Sequence, residues 1–144
     1  MIAFTINWEG SIGVCCKFCG VLSVQDIYHM LKEMGDDPRF DSIEYRIMDY
    51  LSTSGVDTQC YDEMVEILLL AVSQRRRNPQ HLIAMVGTHP EFLRLWRYWE
   101  MVGIHPEFLK LWRYWESINS DYEHTCLFAN VPDARGWIDN YPIM

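Results

Sequence analysis

The sequence has few basic residues, and this narrows the range of partners that the protein can bind. Lys and Arg together number 12 against 20 Asp and Glu in 144 residues, which gives a formal net charge of −8. A surface this acidic repels nucleic-acid phosphates and anionic lipid headgroups. The one basic cluster, Arg75–Arg77, lies where a helix is expected to end, so we interpret it as a complement to the helix dipole. The composition therefore predicts no nucleic-acid partner.

Long apolar runs are missing as well. The first ten residues, MIAFTINWEG, contain no basic stretch followed by an apolar one, unlike a secretory signal peptide. No apolar run approaches the roughly 20 residues that a membrane-spanning helix needs. The five cysteines are an odd number, and Cys15, Cys16 and Cys19 lie close together. Without an export signal we expect these thiols to be reduced, which predicts a cytoplasmic protein with no membrane span.

Motifs for catalysis and cofactor binding are also absent. The sequence contains no Ser/His/Asp order, no G-x-S-x-G and no glycine-rich phosphate loop of the Walker or dinucleotide type. Cys16-x-x-Cys19 has the spacing of a redox or zinc pair, but on a strand these side chains point to opposite faces. No second ligand pair follows, so buried structural thiols are expected. We predict no catalytic residues, no metal and no cofactor.

What the sequence does contain is a direct tandem repeat. MVGTHPEFLRLWRYWE at 85–100 is followed at once by MVGIHPEFLKLWRYWE at 101–116, and fourteen of the sixteen positions are identical. In the first copy Thr88 and Glu91 have the spacing of a capping box, whereas Ile104 replaces the capping threonine in the second. Each copy carries an apolar stripe at helical spacing: Phe92, Leu95, Trp96 and Trp99 in the first, and Phe108, Leu111, Trp112 and Trp115 in the second.

The two stripes cannot share one face of a straight helix, because sixteen residues turn it about 160° beyond whole turns. Two geometries stay open. One is a long helix kinked near Gly103–Pro106, and the other is a helical hairpin. We expect a surplus apolar stripe to be exposed and to bind a second copy of the chain, by helix packing or domain swapping. The predicted dimer interface comprises Phe92, Trp96, Trp99, Phe108, Trp112 and Trp115.

The rest of the chain predicts an α/β fold. From alternating or continuous apolar residues, strands are predicted at 2–8, 12–18, 43–49, 81–86 and 125–129. Helices are predicted from Ser23 to Gly35, from Asp57 to about Arg76, through the repeat, and from Pro132. This order predicts a single domain over 1–144 with one mixed, largely parallel sheet flanked by helices.

A polar loop is predicted between the third strand and the second long helix. The stretch Ser52–Gly55 has the Ser, Thr and Gly content of a loop. Asp49 ends the predicted strand before it, at the kind of position where sites in α/β folds often lie. The candidate regulatory or binding loop consists of Asp49, Ser52, Thr53, Asp57 and Thr58.

With one repeat copy removed, the chain resembles the STAS-type domains, and in particular the small bacterial SpoIIAA-like proteins that are often grouped with CRAL-TRIO lipid-binding domains. The resemblance covers nearly the whole chain and rests on spaced landmarks. These are the early strand pair, the strand 45–49 that ends in an acid, the Asn78-Pro79 break before 81–86, and the phrase at 128–137.

The resemblance implies a cytosolic, non-enzymatic domain that works by binding. In the anti-sigma-factor antagonists of this family, a D-S-S-G-like loop carries a phosphorylated serine at a helix N-terminus. The matching stretch here is 57–60, which places Thr58 at the phosphorylation position, although the second Ser and the Gly are absent. The alternative is that Asp57 is an ordinary N-cap and Thr58 a residue of the first turn.

Two functional hypotheses follow. The first is a regulatory protein–protein binding module that forms a homodimer through the repeat and uses the 52–58 loop or the aromatic surface. The second is a CRAL-TRIO-like carrier of a small apolar, lipid-like ligand, which would need an apolar cavity between helices and sheet. We favour the module, since nothing in the sequence demands a cavity.

Overall fold

A computed structural model of the chain describes residues 4–57, 61–90 and 125–141. In chain order the elements are β1 (Phe4–Glu9), β2 (Gly13–Ser23), α1 (Val24–Asp36), a 3₁₀ helix (Pro38–Ser42), β3 (Tyr45–Asp57), α2 (Tyr61–Arg77), β4 (Leu82–Val86), β5 (Thr125–Phe128) and α3 (Val131–Asp139).

The strands form one mixed five-stranded sheet in the order β1-β2-β3-β4-β5. β1 pairs with β2 in antiparallel fashion, and each later neighbouring pair is parallel. The α/β prediction is confirmed, because a mostly parallel sheet carries helices on both faces. The predicted helix of the repeat lies outside the described residues from position 91 onward.

The helices α1 and α2 pack against each other on one face of the sheet, which we call the front face. The larger core lies beneath them and contains, among others, Val14, Phe18, Met30, Met34, Met48 and Ile67. Helix α1 begins as predicted, because the Ser23 hydroxyl accepts from the backbone N–H of Asp26 at 3.1 Å and the Asp26 carboxylate accepts from the Ser23 N–H at 3.3 Å. This reciprocal capping box satisfies two donors that the helix would otherwise leave unpaired.

The third helix, α3, packs on the opposite face, the back face, against β3, β4 and β5. A smaller apolar cluster lies beneath it and comprises Tyr45, Ile47, Leu82, Ala84, Val86 and Ala134. Helix α3 starts where Pro132 predicts, with the Asn130 side chain accepting from the Asp133 N–H at 2.8 Å. Strand β4 and the first half of β3 are therefore covered on both faces, as the continuous apolar run at 81–86 predicts for β4.

The prediction of a polar loop at 52–55 is wrong, because these residues belong to the third strand. Strand β3 continues through these residues to Asp57, and its second half pairs with β2 from Cys19 to Ser23. The pairing register shifts twice, between Lys17 and Cys19 and between Gly20 and Val21. Gly20 has a φ of +78°, a left-handed conformation that glycine adopts without the Cβ penalty. Pairing with β2 thus overrides the local Ser/Gly composition.

The basic run at the end of α2 ties the two front helices together. The Arg77 guanidinium donates to the carbonyl of Gly35, in the last turn of α1, at 2.9 Å and also binds Asp41. Helix α1 has no basic residue of its own in its last turn, so Arg77 supplies the positive charge that the end of a helix dipole favours. The cluster lies in the last turn of α2, as predicted, but the Arg77 side chain contacts the end of α1 instead of the end of its own helix.

Candidate functional site

Within the described part of the chain, a group of three hydrogen-bonded polar side chains joins the first hairpin, the third strand and the last helix. Arg135 of α3 forms a bidentate pair with Glu9 at the end of β1, with Nη1–Oε1 at 3.0 Å and Nη2–Oε2 at 2.6 Å. The Tyr45 hydroxyl, at the start of β3, donates to the same Glu9 carboxylate. We call these three residues the clasp. A bidentate Arg–carboxylate pair forms two parallel charge-assisted hydrogen bonds. Such a pair is stronger and geometrically more specific than a hydrogen bond between neutral groups.

Glycine at position 13 makes the clasp possible. Gly13 of β2 lies opposite Tyr45 in the parallel register, and Tyr45 extends its ring across it. A Cβ at position 13 would come within 2.1 Å of the Tyr45 Cζ atom. Only a residue without a side chain leaves room for the ring, so Gly13 sets the position of the hydroxyl that reaches Glu9.

Electrostatics fix the protonation states of the clasp at neutral pH. The hydrogen bond from Arg135 is the largest cause that lowers the pKa of Glu9, and burial followed by the Glu9 contact raises the pKa of Tyr45 to about 12. Burial also raises the pKa of the neighbouring Cys15 thiol, and the Glu9 charge adds to this effect. A general acid or base works best with a pKa near the operating pH, and a reactive cysteine needs a lowered pKa. The clasp is therefore suited to anchoring α3 rather than to proton transfer.

The predicted regulatory loop is a strand surface. Asp49 lies in the middle of β3, buried, opposite Lys17 of β2 and Val86 of β4, and its carboxylate accepts from the Leu51 N–H at 2.9 Å. The prediction that Asp49 ends its strand is therefore wrong. The described members of the predicted loop do not come together around one point, because they follow one another along β3.

The remaining members of that loop lie further along the same strand. Ser52 is exposed and pairs with Cys19, Thr53 is buried and pairs with Gly20, and Asp57 ends β3 with its backbone opposite Ser23. Thr58 lies outside the described residues. The regulatory role of these residues stays a prediction.

An exposed apolar surface lies on the second half of β2 and β3. Val21 is 61% exposed and Leu51 is 42% exposed, although both belong to strands. Cys19 and Ser52, which are cross-strand partners, are exposed beside them. We call these four residues the strand patch. In the register, Val21 lies opposite Gly55, four residues along β3 from Leu51. Apolar residues exposed on a sheet in this way can contribute to a surface that binds another protein.

Cys16 and Cys19 do not lie together as a reactive pair. Cys16 is buried on the front face, where burial raises the pKa of its thiol to about 12, and Cys19 is exposed on the other face. The prediction of opposite faces for the C-x-x-C spacing is confirmed, but the prediction of buried thiols is wrong for Cys19. Cys15 and Cys126 are partly buried and free.

Two arginines lie in the protein interior. Arg46 of β3 is 4% exposed and donates to the Gln74 side-chain oxygen of α2 at 3.2 Å, and Gln74 in turn donates to the Leu31 carbonyl of α1 at 2.6 Å. Arg75 is fully buried and donates to the His81 carbonyl at 2.6 Å. Burial lowers the pKa of Arg46 to about 10 and that of Arg75 to about 9. Neither arginine forms a salt bridge with a carboxylate of the described residues, and both donate to neutral acceptors.

Sequence reasoning missed the clasp and the buried arginines. Glu9 reads as part of a turn and Arg135 as part of a short helix, and the two residues are 126 positions apart. Arg46 and Gln74 occupy an alternating strand and a helix, where polar residues are normally expected to face solvent. The one local signal was Gly13, whose position in a strand indicates a close approach by another group.

The described residues were compared with the requirements of a metal site and of a pocket for an apolar ligand. Within 4–57, 61–90 and 125–141, no group of three or more His, Cys, Asp or Glu is arranged to hold a metal ion. An open crevice of about 240 Å³ lies between α1 and α2 and is lined by Gln25, Tyr28, His29 and Glu66. Pockets for apolar ligands usually measure roughly 300–1,000 Å³ with mainly apolar walls. This crevice therefore does not favour the carrier hypothesis.

Comparisons with known proteins leave the family open. No family model matches the chain, and no curated protein matches it. The resemblance to STAS-type and SpoIIAA-like domains therefore remains a prediction based on sequence landmarks. In the described part of the chain, no helix is both long and apolar enough to span a membrane.

The repeat is described only at its beginning. Met85 and Val86, the first two residues of copy one, form the end of β4, and the Gly87 N–H donates to the Phe128 carbonyl at 3.0 Å. Copy one thus starts inside the sheet. The six predicted dimer residues Phe92, Trp96, Trp99, Phe108, Trp112 and Trp115 lie outside the described residues.

Proposed function

We propose that the protein is a non-enzymatic, regulatory protein–protein binding module of the cytoplasm that forms a homodimer through the duplicated segment 85–116. The observation that supports this proposal is the position at which the repeat joins the sheet. Copy one begins in β4, and residues 87–124 connect β4 to its parallel neighbour β5. A parallel crossover needs about a dozen residues. One copy together with residues 117–124 exceeds that length, so the second copy is surplus to the sheet.

The surplus copy carries the chemistry of an interface. Phe108, Trp112 and Trp115 are large aromatic residues, and aromatic residues are enriched at the centres of protein interfaces. Two copies of the chain present the same residues to each other, as a two-fold symmetric dimer requires. The net charge of −8 argues against a nucleic-acid partner and leaves apolar contacts as the attraction between copies.

The strand patch supports a second, separate binding surface. Its exposed Val21 and Leu51 lie among small polar groups, an arrangement typical of an apolar centre with a polar rim. We propose that a partner protein binds there, next to the end of β3. The strand patch includes Ser52, which belongs to the predicted regulatory loop. This proposal therefore retains a binding role for Ser52 but assigns it to a strand residue.

The resemblance suggests how binding would be regulated. Thr58 follows β3 directly, and α2 is described from Tyr61 onward. A phosphate placed near the N-terminus of a helix interacts favourably with the helix dipole. Thr58→Glu should therefore raise the protection of α2 amides from hydrogen exchange relative to Thr58→Ala. Equal hydrogen-exchange protection of α2 in the two variants would contradict regulation by phosphorylation at Thr58.

Two deletion variants test the dimer. Removing 101–116 or removing 85–100 leaves almost the same chain, since the products differ only by Thr or Ile at position 88 and Arg or Lys at position 94. By light scattering, the full chain should be a dimer and each deletion variant should be a monomer. A monomeric full chain would refute the proposal, and native mass spectrometry showing a bound lipid-like mass would support the carrier instead.

A further inference from the structure

Strands β4 and β5 present a largely apolar surface on the front face. Ile83 belongs to the front core and Met85 packs against it, and the register places Thr125 and Leu127 of β5 beside these two residues. Leu127 is 38% exposed, although it lies in a strand. We call these four residues the front strip. Helix α2 borders the strip, because the Arg75 guanidinium donates to the Thr125 hydroxyl at 3.4 Å.

The direction of the chain through the sheet determines the face on which residues 87–124 cross. Helix α1 connects β2 to β3 and helix α2 connects β3 to β4, and both lie on the front face. The step from β4 to β5 runs in the same direction across the sheet and also joins parallel strands. Parallel crossovers nearly always share the right hand. The third crossover therefore belongs on the front face, over the front strip.

Copy one has the position and the length to fill this place. A helix begins at Pro90, directly after the short link 87–89 that follows β4. A helix over 90–100 would be about 16 Å long, and the five residues of β4 span about the same distance. Copy one alone can therefore return the chain from the end of β4 to the level at which β5 begins. The short link keeps copy one on the sheet of its own chain.

Copy two does not fit the same place. No residues separate the two copies, so a copy one that left the sheet would begin copy two about 16 Å from the end of β4, with no chain left for the return. With copy one on the sheet, the connection closes. Copy two then extends at most about 24 Å as a helix from the level at which β5 begins. Residues 117–124 span up to about 26 Å, which is enough to reach Thr125.

We propose that copy one packs on the front strip of its own chain. The two copies then have different roles, since copy one completes the core and copy two contacts a second copy of the chain. The dimer contact is narrowed from six aromatic residues to three, which are Phe108, Trp112 and Trp115. The placement of copy one is independent of the dimer, whereas the role of copy two rests on the proposed function.

Matched substitutions in the full chain test which copy packs on the front strip. Phe92 begins the apolar stripe of copy one, and Phe108 has the same position in copy two. Leu127 lies near the end of the sheet at which copy one starts. In urea unfolding, the folded-to-unfolded ratio of Phe92→Ala with Leu127→Ala should exceed the product of the two single effects by about fivefold, as expected for residues in contact. The effects of Phe108→Ala and Leu127→Ala should multiply without this excess.

The result that would overturn the proposal is coupling of Leu127 to Phe108, or coupling to neither phenylalanine. If Phe92→Ala does not fold, Phe92→Leu and Phe108→Leu form the matched pair. By light scattering, Trp112→Ala should raise the dissociation constant of the dimer about tenfold or more. A monomeric full chain in which Phe92 and Leu127 are coupled would refute the dimer and support the placement of copy one, so the two failures are distinguishable.

Discussion

The guanidinium of Arg46 lies inside the protein and donates to the side-chain oxygen of Gln74 at 3.2 Å. This contact links the central strand β3 to helix α2, and through the Gln74–Leu31 bond it reaches α1 as well. Burial of a cation against a neutral acceptor is costly, and removal of its partner costs more than removal of the cation itself. The two substitutions at this contact should therefore have unequal effects.

Gln74→Met should be the more damaging change at this contact. It leaves the buried Arg46 guanidinium without that acceptor, which we expect to cost about 3 kcal/mol in the free energy of unfolding. Arg46→Met removes the buried charge and leaves only a neutral amide oxygen unpaired, at about 1 kcal/mol. The double variant should be more stable than Gln74→Met alone, as measured by urea denaturation. Additive losses would mean that the two side chains do not interact.

Gly13 and Gly136 should respond in opposite ways to the same substitution. Gly13→Ala places a Cβ against the Tyr45 ring, so we expect a loss of about 2 kcal/mol from overpacking. Gly136 lies in α3 with nothing within 4 Å of an added Cβ, and Gly136→Ala should stabilise the helix by about 0.5–1 kcal/mol. Thermal unfolding of both variants measures this difference. A similar loss for both would contradict the ring contact at Gly13.

Glu9→Gln should change how stability depends on pH. The folded-state pKa of Glu9 lies below its ordinary value of 4.5, chiefly because Arg135 donates to it. The contribution of Glu9 is therefore fully present above 4.5 and is lost as the pH falls through the lowered pKa. At neutral pH we expect the free energy of unfolding of wild type to exceed that of Glu9→Gln by about 1 kcal/mol. This value allows for solvent screening, because the pair is partly exposed.

The difference between wild type and Glu9→Gln should shrink toward zero in acid, since protonated Glu9 resembles glutamine. Tyr45 and Cys15 face the same carboxylate, and their pKa values are raised, so they stay protonated throughout this range. Denaturant unfolding at neutral and acid pH measures the effect. A difference that is constant across pH would show that Glu9 acts through packing rather than charge.

Local patterns predicted most of the fold. Alternating apolar residues in β1, the helix start at Ser23 and the proline at the start of α3 each act over a few residues, and each is confirmed. The tail of β3 was not predictable in the same way. Its Ser and Gly content is typical of a loop, and only pairing with β2, far away in sequence, makes it a strand.

The candidate sites were less predictable than the fold for a related reason. The clasp brings together residues from three elements, and no spacing along the chain connects Glu9 with Arg135. Arg46 and Gln74 are polar residues placed inside by the stacking of α2 on β3, which depends on tertiary packing. By contrast, the repeat was visible at once because it is a pattern of sequence alone.

The oligomeric state of the two deletion variants tests the central claim most directly. The full chain should be a dimer by light scattering at micromolar concentration, and the chains lacking 101–116 or 85–100 should both be folded monomers. The variant lacking 101–116 should also be more stable than the variant lacking 85–100 by about 1 kcal/mol, because it keeps Thr88 rather than isoleucine at the predicted cap. A monomeric full chain, or deletion variants that remain dimers, would contradict the account.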